Sequence, residues 1–125
     1  MEHVYQRRVA FADTDAAGVV HFSRILCYVE EAEHSLLSEL GIPLMDGGGW
    51  PRVHVECEFL APIKPGYELE VVISPAQLGN SSVTWQFSVI HSAQTMAQGK
   101  VKSLRVDHSG KPVELHPSWR EALTR

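Results

Sequence analysis

Two carboxylates, Asp13 and Asp15, stand in the run Asp13-Thr14-Asp15-Ala16-Ala17-Gly18-Val19-Val20-His21-Phe22-Ser23, which leads directly into a helical pattern. A carboxylate on a tight, glycine-containing turn before a helix lies beside the first backbone amides of that helix. Those amides have no intrahelical partner, and their dipoles favour negative charge. They can polarise a carbonyl, while the carboxylate attacks it or draws a proton from water, which together make half of an acyl-transfer site. The same residues also admit a local role, in which Asp13 or Asp15 caps the turn and the helix.

The elements that must position this segment follow from periodicity. Residues 4–12 read as an opening strand that ends where the turn chemistry begins. Ile25, Leu26, Val29, Ala32, Leu36, Leu37 and Leu40 recur at spacings of three and four, which predicts one long helix over residues 23–40. Ser23 supplies its cap, and Gly41 with Pro43 its stop. After Met45-Asp46-Gly47-Gly48-Gly49-Trp50-Pro51 the period changes to two, with Val53, Val55, Cys57 and Phe59 on one face and Arg52, His54, Glu56 and Glu58 on the other.

Further strands are expected over 67–76, 82–91 and 96–107, joined by turns at 78–81 and 92–95, with a short helix over 117–123. One strand, one helix and four strands make an α+β order rather than an alternating parallel one. One helix of about 18 residues covers only one side of a five-stranded antiparallel sheet, so the sheet is expected to curl round it. Its edge and outer face would then be open to self-association.

The chain has 125 residues, sized for one domain over 1–125, with 44% hydrophobic and 21% charged residues. A formal charge of −4 argues against a nucleic-acid or anionic-membrane surface, both of which need summed positive potential. Cys27 and Cys57 are 30 positions apart with no paired-cysteine motif, and no run has the length of a signal peptide core or membrane span. A reduced, cytoplasmic protein is expected.

Other signals read as structural. Glu31-x-x-His34 has the spacing of a di-iron motif but occurs once, and His54 with Glu56 offers two ligands without a third, so no metal is expected. The triple glycine 47–49 lacks the Lys-Ser/Thr of a phosphate loop and reads as a mobile connector or site lid. The cysteines read as packing residues.

The run DTDAAGVVHF, Glu30 within EEAE, the segment EFLAPIKPGYELEV and the late AQGKVKSLRVD together resemble the 4-hydroxybenzoyl-CoA thioesterase-like branch of the hotdog-fold acyl-CoA thioesterases, over about residues 4–107. The resemblance implies a five-stranded antiparallel sheet wrapped round one long central helix. It also implies hydrolysis of a small aromatic or short aliphatic acyl-CoA to the free acid and CoA, without a cofactor. By position, Asp15 becomes the nucleophile or general base, and an amide at or near Phe22 the oxyanion donor. Asp13 becomes a turn residue, and Gly18 the point of close approach to substrate.

His21 takes the place of an aromatic found in many relatives and is a candidate substrate contact or proton donor. Glu30 is the alternative catalytic carboxylate, or a structural one at a dimer contact. The phosphates of CoA need local cations, for which Lys64, Lys100 and Lys102 are the candidates, with Arg52 and Arg105 behind them. Family likeness makes the assembly a dimer or a dimer of dimers. Two other readings share the fold: a dehydratase or hydratase, prompted by His21-Phe22, and a non-catalytic module that binds acyl-CoA or acyl-carrier protein.

Overall fold

The computed structural model describes all 125 residues, Met1–Arg125. Helix α1 (Phe22–Glu39) lies against a sheet of five antiparallel strands: β1 (His3–Arg8), β2 (Arg52–Phe59), β3 (Glu68–Leu78), β4 (Ser82–His91) and β5 (Gln94–Leu104). Their order is β1-β3-β4-β5-β2, so β3 to β5 form the expected meander and β2 closes the far edge against β5. A short helix α2 (Pro117–Leu123) follows, within the bounds read from the sequence.

The stripe Ile25, Val29, Ala32, Leu36 and Leu37 is buried against Val71, Ile73, Trp85, Phe87 and Val89 of β3 and β4. Each of its Val, Leu and Ile side chains stabilises the fold by about 1.5–3 kcal/mol relative to exposure. On β1 the inward positions are polar: Tyr5 and Arg7 donate to Glu31 at 3.0 and 2.9 Å, and His3 reaches Ser35 at 3.0 Å and Glu39 at 3.2 Å. On the opposite flank, Arg52 of β2 pairs with Glu33, which is 1% exposed, and with Glu30 at 3.3 Å. Ser103 of β5 donates to the other oxygen of Glu33 at 2.6 Å.

Several boundaries differ from the sequence expectation for local reasons. The opening strand stops at Arg8 rather than residue 12, because the Ala10 amide turns onto the Asp13 carboxylate and Phe11–Asp13 form one 3-10 turn. The helix cap is His21, not Ser23: the imidazole Nδ1 accepts the Ser23 amide at 3.3 Å, which puts Ser23 inside the first turn. A bulge between Pro75 and Gln77 lets β3 run on to Leu78. Ser92 and Ala93, both with positive φ, make a tight two-residue turn, so β5 starts at Gln94.

The glycine segment, expected as a mobile connector or site lid, is tied on both sides in the fold. Arg105, 6% exposed, holds both Asp46 oxygens at 2.7 Å with one nitrogen, while its guanidinium lies 5.3 Å from the Trp50 ring and 5.0 Å from that of Trp119. Gly49 and Val106 exchange backbone hydrogen bonds at 3.0 and 3.1 Å.

Gly99 sits where β5 crosses β2, and a Cβ there would overlap the Glu56 carbonyl oxygen. Gly99→Ala is therefore expected to cost about 1–3 kcal/mol, as overpacking at a site that cannot yield does. Thermal unfolding of the variant checks this; an unchanged Tm would mean the two strands separate there freely.

Candidate active site

The Asp15 turn is a small closed loop. Thr14 and Val20 pair as an antiparallel bridge, the Asp15 amide donates to the Val19 carbonyl at 2.9 Å, and the Gly18 amide to the Asp15 carbonyl at 3.0 Å. Gly18 has φ 77°, a left-handed conformation that a side chain would strain. Asp15 is exposed, and its Oδ1 accepts only the Ala17 amide at 2.9 Å.

The amides that follow are consumed one after another, with a single gap. Val20 donates to the Ile63 carbonyl at 2.8 Å, His21 to the Asp13 carbonyl at 3.2 Å, Ser23 to the His21 imidazole, and Arg24 to the His21 carbonyl at 2.9 Å. The Phe22 N–H, the first of α1, makes no hydrogen bond within the chain. It is a donor left over at the positive end of the helix, two residues past the bridge that closes the Asp15 loop.

Asp13 is more than a turn residue. It is 3% exposed, and its carboxylate accepts Arg24 Nε and Nη2 at 3.1 and 2.9 Å, the Tyr28 hydroxyl at 2.7 Å and the Ala10 amide at 3.1 Å. Arg7 approaches to 3.6 Å. Burial alone would raise its pKa. The donors from Tyr28, Ala10 and Arg24, with the Arg7 charge, outweigh that and hold it below the ordinary carboxylate value. Burial and the bond to Asp13 push the Tyr28 hydroxyl far above its usual pKa, so it stays a protonated donor.

Two grooves flank the start of α1. One, of about 300 Å³, lies beside the Phe22 N–H and is walled by Val20, Phe22, Ile25, Phe59, Leu60 and Ile63. Phe22 and Phe59 meet edge to face at 6.1 Å within it. The other, of about 260 Å³, runs one to two helical turns further on, between Leu26, Cys27, Val29 and Val55, and carries Glu30 and Arg52 as its polar groups. His21 presents its remaining ring nitrogen outward, since Nδ1 serves the helix cap and Ser23 Oγ at 2.7 Å.

The cationic candidates divide. Lys64 follows Ile63, whose carbonyl holds Val20, so it lies next to the Asp15 turn. Lys100 and Lys102 face outward from β5, out of phase with buried Val101 and Ser103, on the side of the sheet away from α1. Within one chain they do not converge with Asp15. Arg52 and Arg105 are already committed to Glu33 and Asp46. The alternation of β2 holds from His54 to Phe59, but a register shift between Arg52 and His54 turns Arg52 from the expected polar face onto the helix side with Val55, and the apolar row is open: Val53, Val55 and Phe59 are 53%, 43% and 48% exposed.

The sequence reading missed the buried partners of Glu33 and Arg105, though a signal was present for both. Glu33 falls four residues after Val29 and four before Leu37, on the apolar stripe, where a charge requires a buried partner. Arg105 is in phase with the inward-facing Val101 and Ser103.

The sequence pattern of the thioesterase superfamily matches residues 17–97, beginning two positions after Asp15 and running into β5. The chain belongs to the thioesterase superfamily. Among its relatives, a 1,4-dihydroxy-2-naphthoyl-CoA hydrolase from Thermosynechococcus vestitus is 42% identical over 125 residues, spanning 92% of this chain and 86% of its own. The crystal structure of the 1,4-dihydroxy-2-naphthoyl-CoA thioesterase from Synechocystis superposes with a TM-score of 0.91 at 28% identity, covering 99% of this chain and 96% of the other. A gentisyl-coenzyme A thioesterase superposes with a TM-score of 0.88 at 31% identity, covering 98% and 99%.

This thioesterase-superfamily chain thus has the hotdog fold that its first motif implied. Among its helices none is long and apolar enough to cross a membrane.

Proposed function

We propose that the protein hydrolyses an aromatic acyl-CoA to the free acid and CoA, with Asp15 as the reacting carboxylate and the Phe22 N–H as the oxyanion donor. The observation that carries this reading is the unpaired Phe22 amide at the head of α1, just past the loop that holds an exposed carboxylate, with Phe22 itself lining an apolar groove. The amide polarises the thioester carbonyl as negative charge gathers on its oxygen. An Asp15 oxygen then adds to the carbonyl carbon and the C–S bond breaks, releasing CoA thiolate and leaving a mixed anhydride for water to open. Alternatively Asp15 takes the proton of a water that adds in its place. Both routes use the same ionised carboxylate.

Hydroxylated aromatic acyl groups are named for the relatives above, and the second groove suits one. Its apolar walls end at the Glu30–Arg52 pair, eight residues or about 12 Å along the helix from Phe22. Glu30 in this reading is a substrate contact, not the reacting acid, because it has no free helix amide near it. Lys64 serves the CoA phosphates, and Gly18 and His21 line the approach.

The same chain in two or more copies completes the assembly, since β2 is an edge strand with an exposed apolar row. Lys100 and Lys102 reach a site only from a second copy.

The test is thiol release from benzoyl-CoA, 2,5-dihydroxybenzoyl-CoA, 1,4-dihydroxy-2-naphthoyl-CoA and butyryl-CoA, with a protein-only blank for Cys27 and Cys57. The aromatic thioesters are expected to exceed butyryl-CoA in kcat/KM by roughly 10-fold or more, the scale on which apolar pockets discriminate. Equal rates would remove the aromatic assignment, and no release from any of them would remove thioester hydrolysis.

A further inference from the structure

Asp13 is a buried carboxylate that the reaction does not consume. Its side chain binds three separate places: the end of the β1 segment through the Ala10 amide, the first turn of α1 through Arg24, and the second turn through Tyr28. Its own carbonyl accepts the His21 amide at 3.2 Å. One residue therefore joins the entry of the loop that carries Asp15 to its exit, and both to the helix whose first amide is Phe22. Asp15 itself has no tie beyond its own turn. Its placement relative to the Phe22 N–H is inherited from Asp13.

We propose that Asp13 is a positioning residue for hydrolysis, its carboxylate clamping Arg24 and Tyr28 so that Asp15 and the Phe22 N–H are held in register. This inference rests on the reading of Asp15 as the reacting carboxylate. The contact from Arg24 fixes a direction as well as a distance, because two N–H groups of one planar group converge on the same carboxylate oxygen. An amide in place of the carboxylate keeps the volume and one acceptor but turns an N–H₂ toward donors, which breaks the clamp without opening a cavity. Rates are sensitive to such a change, since misplacing a reacting group by about 1 Å costs on the order of 10²-fold.

The experiment compares kcat and KM of wild type, Asp13→Asn, Arg24→Gln, Arg24→Lys, Asp15→Asn and the Asp13→Asn/Asp15→Asn double variant. The substrate is the thioester of the panel above that wild type hydrolyses fastest, and each protein is first confirmed folded by its near-ultraviolet circular dichroism. Asp13→Asn and Arg24→Gln are expected to lose roughly 10- to 10²-fold in kcat with KM within about 3-fold, as loss of alignment at the reacting centre does. Arg24→Lys recovers part of that loss. The double variant is no slower than Asp15→Asn alone, because residues that act as a unit are not additive.

Should Asp13→Asn fail to fold, Arg24→Gln carries the test, since the Arg24 side chain is 43% exposed and its loss leaves Tyr28 and Ala10 on Asp13. Wild-type kcat in folded Arg24→Gln, or a double variant slower by the product of the two single losses, overturns the proposal while Asp15→Asn is still slow as expected. Wild-type activity in Asp15→Asn removes the reading beneath it instead.

Discussion

Asp15→Asn is expected to fold as wild type does and to release thiol ~10²-fold or more slowly, the usual loss when a positioned acid–base or nucleophilic group is removed. The separation of fold from rate follows from the surroundings of the side chain. Asp15 is exposed and its carboxylate meets one backbone amide, so the substitution stays within the roughly 0.5 kcal/mol typical of surface changes. Asparagine keeps an oxygen for the Ala17 N–H, and the turn is otherwise closed by backbone bonds and by Gly18. What asparagine lacks is the charge that attacks a carbonyl or accepts a proton. A kcat within about 3-fold of wild type, on the scale at which a positioned group matters, would shift the assignment to Glu30.

The second large effect concerns stability. Arg52→Met is expected to destabilise the fold by about 3–5 kcal/mol, because it strands a buried charge rather than deleting a pair. Glu33 is 1% exposed, and Arg52 and Ser103 are its hydrogen-bond partners. Chemical denaturation of Arg52→Met beside the double variant Glu33→Leu/Arg52→Met tests the mechanism: the double is expected to recover most of the loss, since apolar replacement of a whole buried pair is often neutral. A double variant as unstable as the single would show that Arg52 acts through packing and its bond to the Trp50 carbonyl instead.

Elements with a clean period were readable before any coordinates. Helix α1, the hairpin at 78–81 and α2 each depend on local spacing and turn chemistry, and each was placed to within a residue or two. The DTDAAGVVHF run likewise located the loop that carries Asp15 and leads into the first turn of α1. The glycine segment was misread because its deciding partner is remote in the chain, whereas the strand end and the helix cap turned on local side chains. Asp46 and Arg105, 59 positions apart, turn a glycine-rich connector into a pinned segment. Asp13 draws its donors from β1's end and α1, which ended the strand early. His21 displaced Ser23 as cap because imidazole, not usually counted among capping side chains, has the acceptor in reach. Lys100 and Lys102 were correctly put on one face, but only topology says which side of the sheet that is.

Helix α1 has stays to both edges of the sheet: Tyr5 and Arg7 reach Glu31 from one side, and Arg52 reaches Glu33 from the other. Mechanically the sheet is a bent leaf and the helix a strut tied at its middle to both edges. The curl is then a property of the lashed frame, not of strand twist alone, and neither edge can splay without breaking an ion pair. The head of the strut is Phe22. The open flank of β2 is thus tied through Arg52 to the same rod whose first residue follows the Asp15 loop.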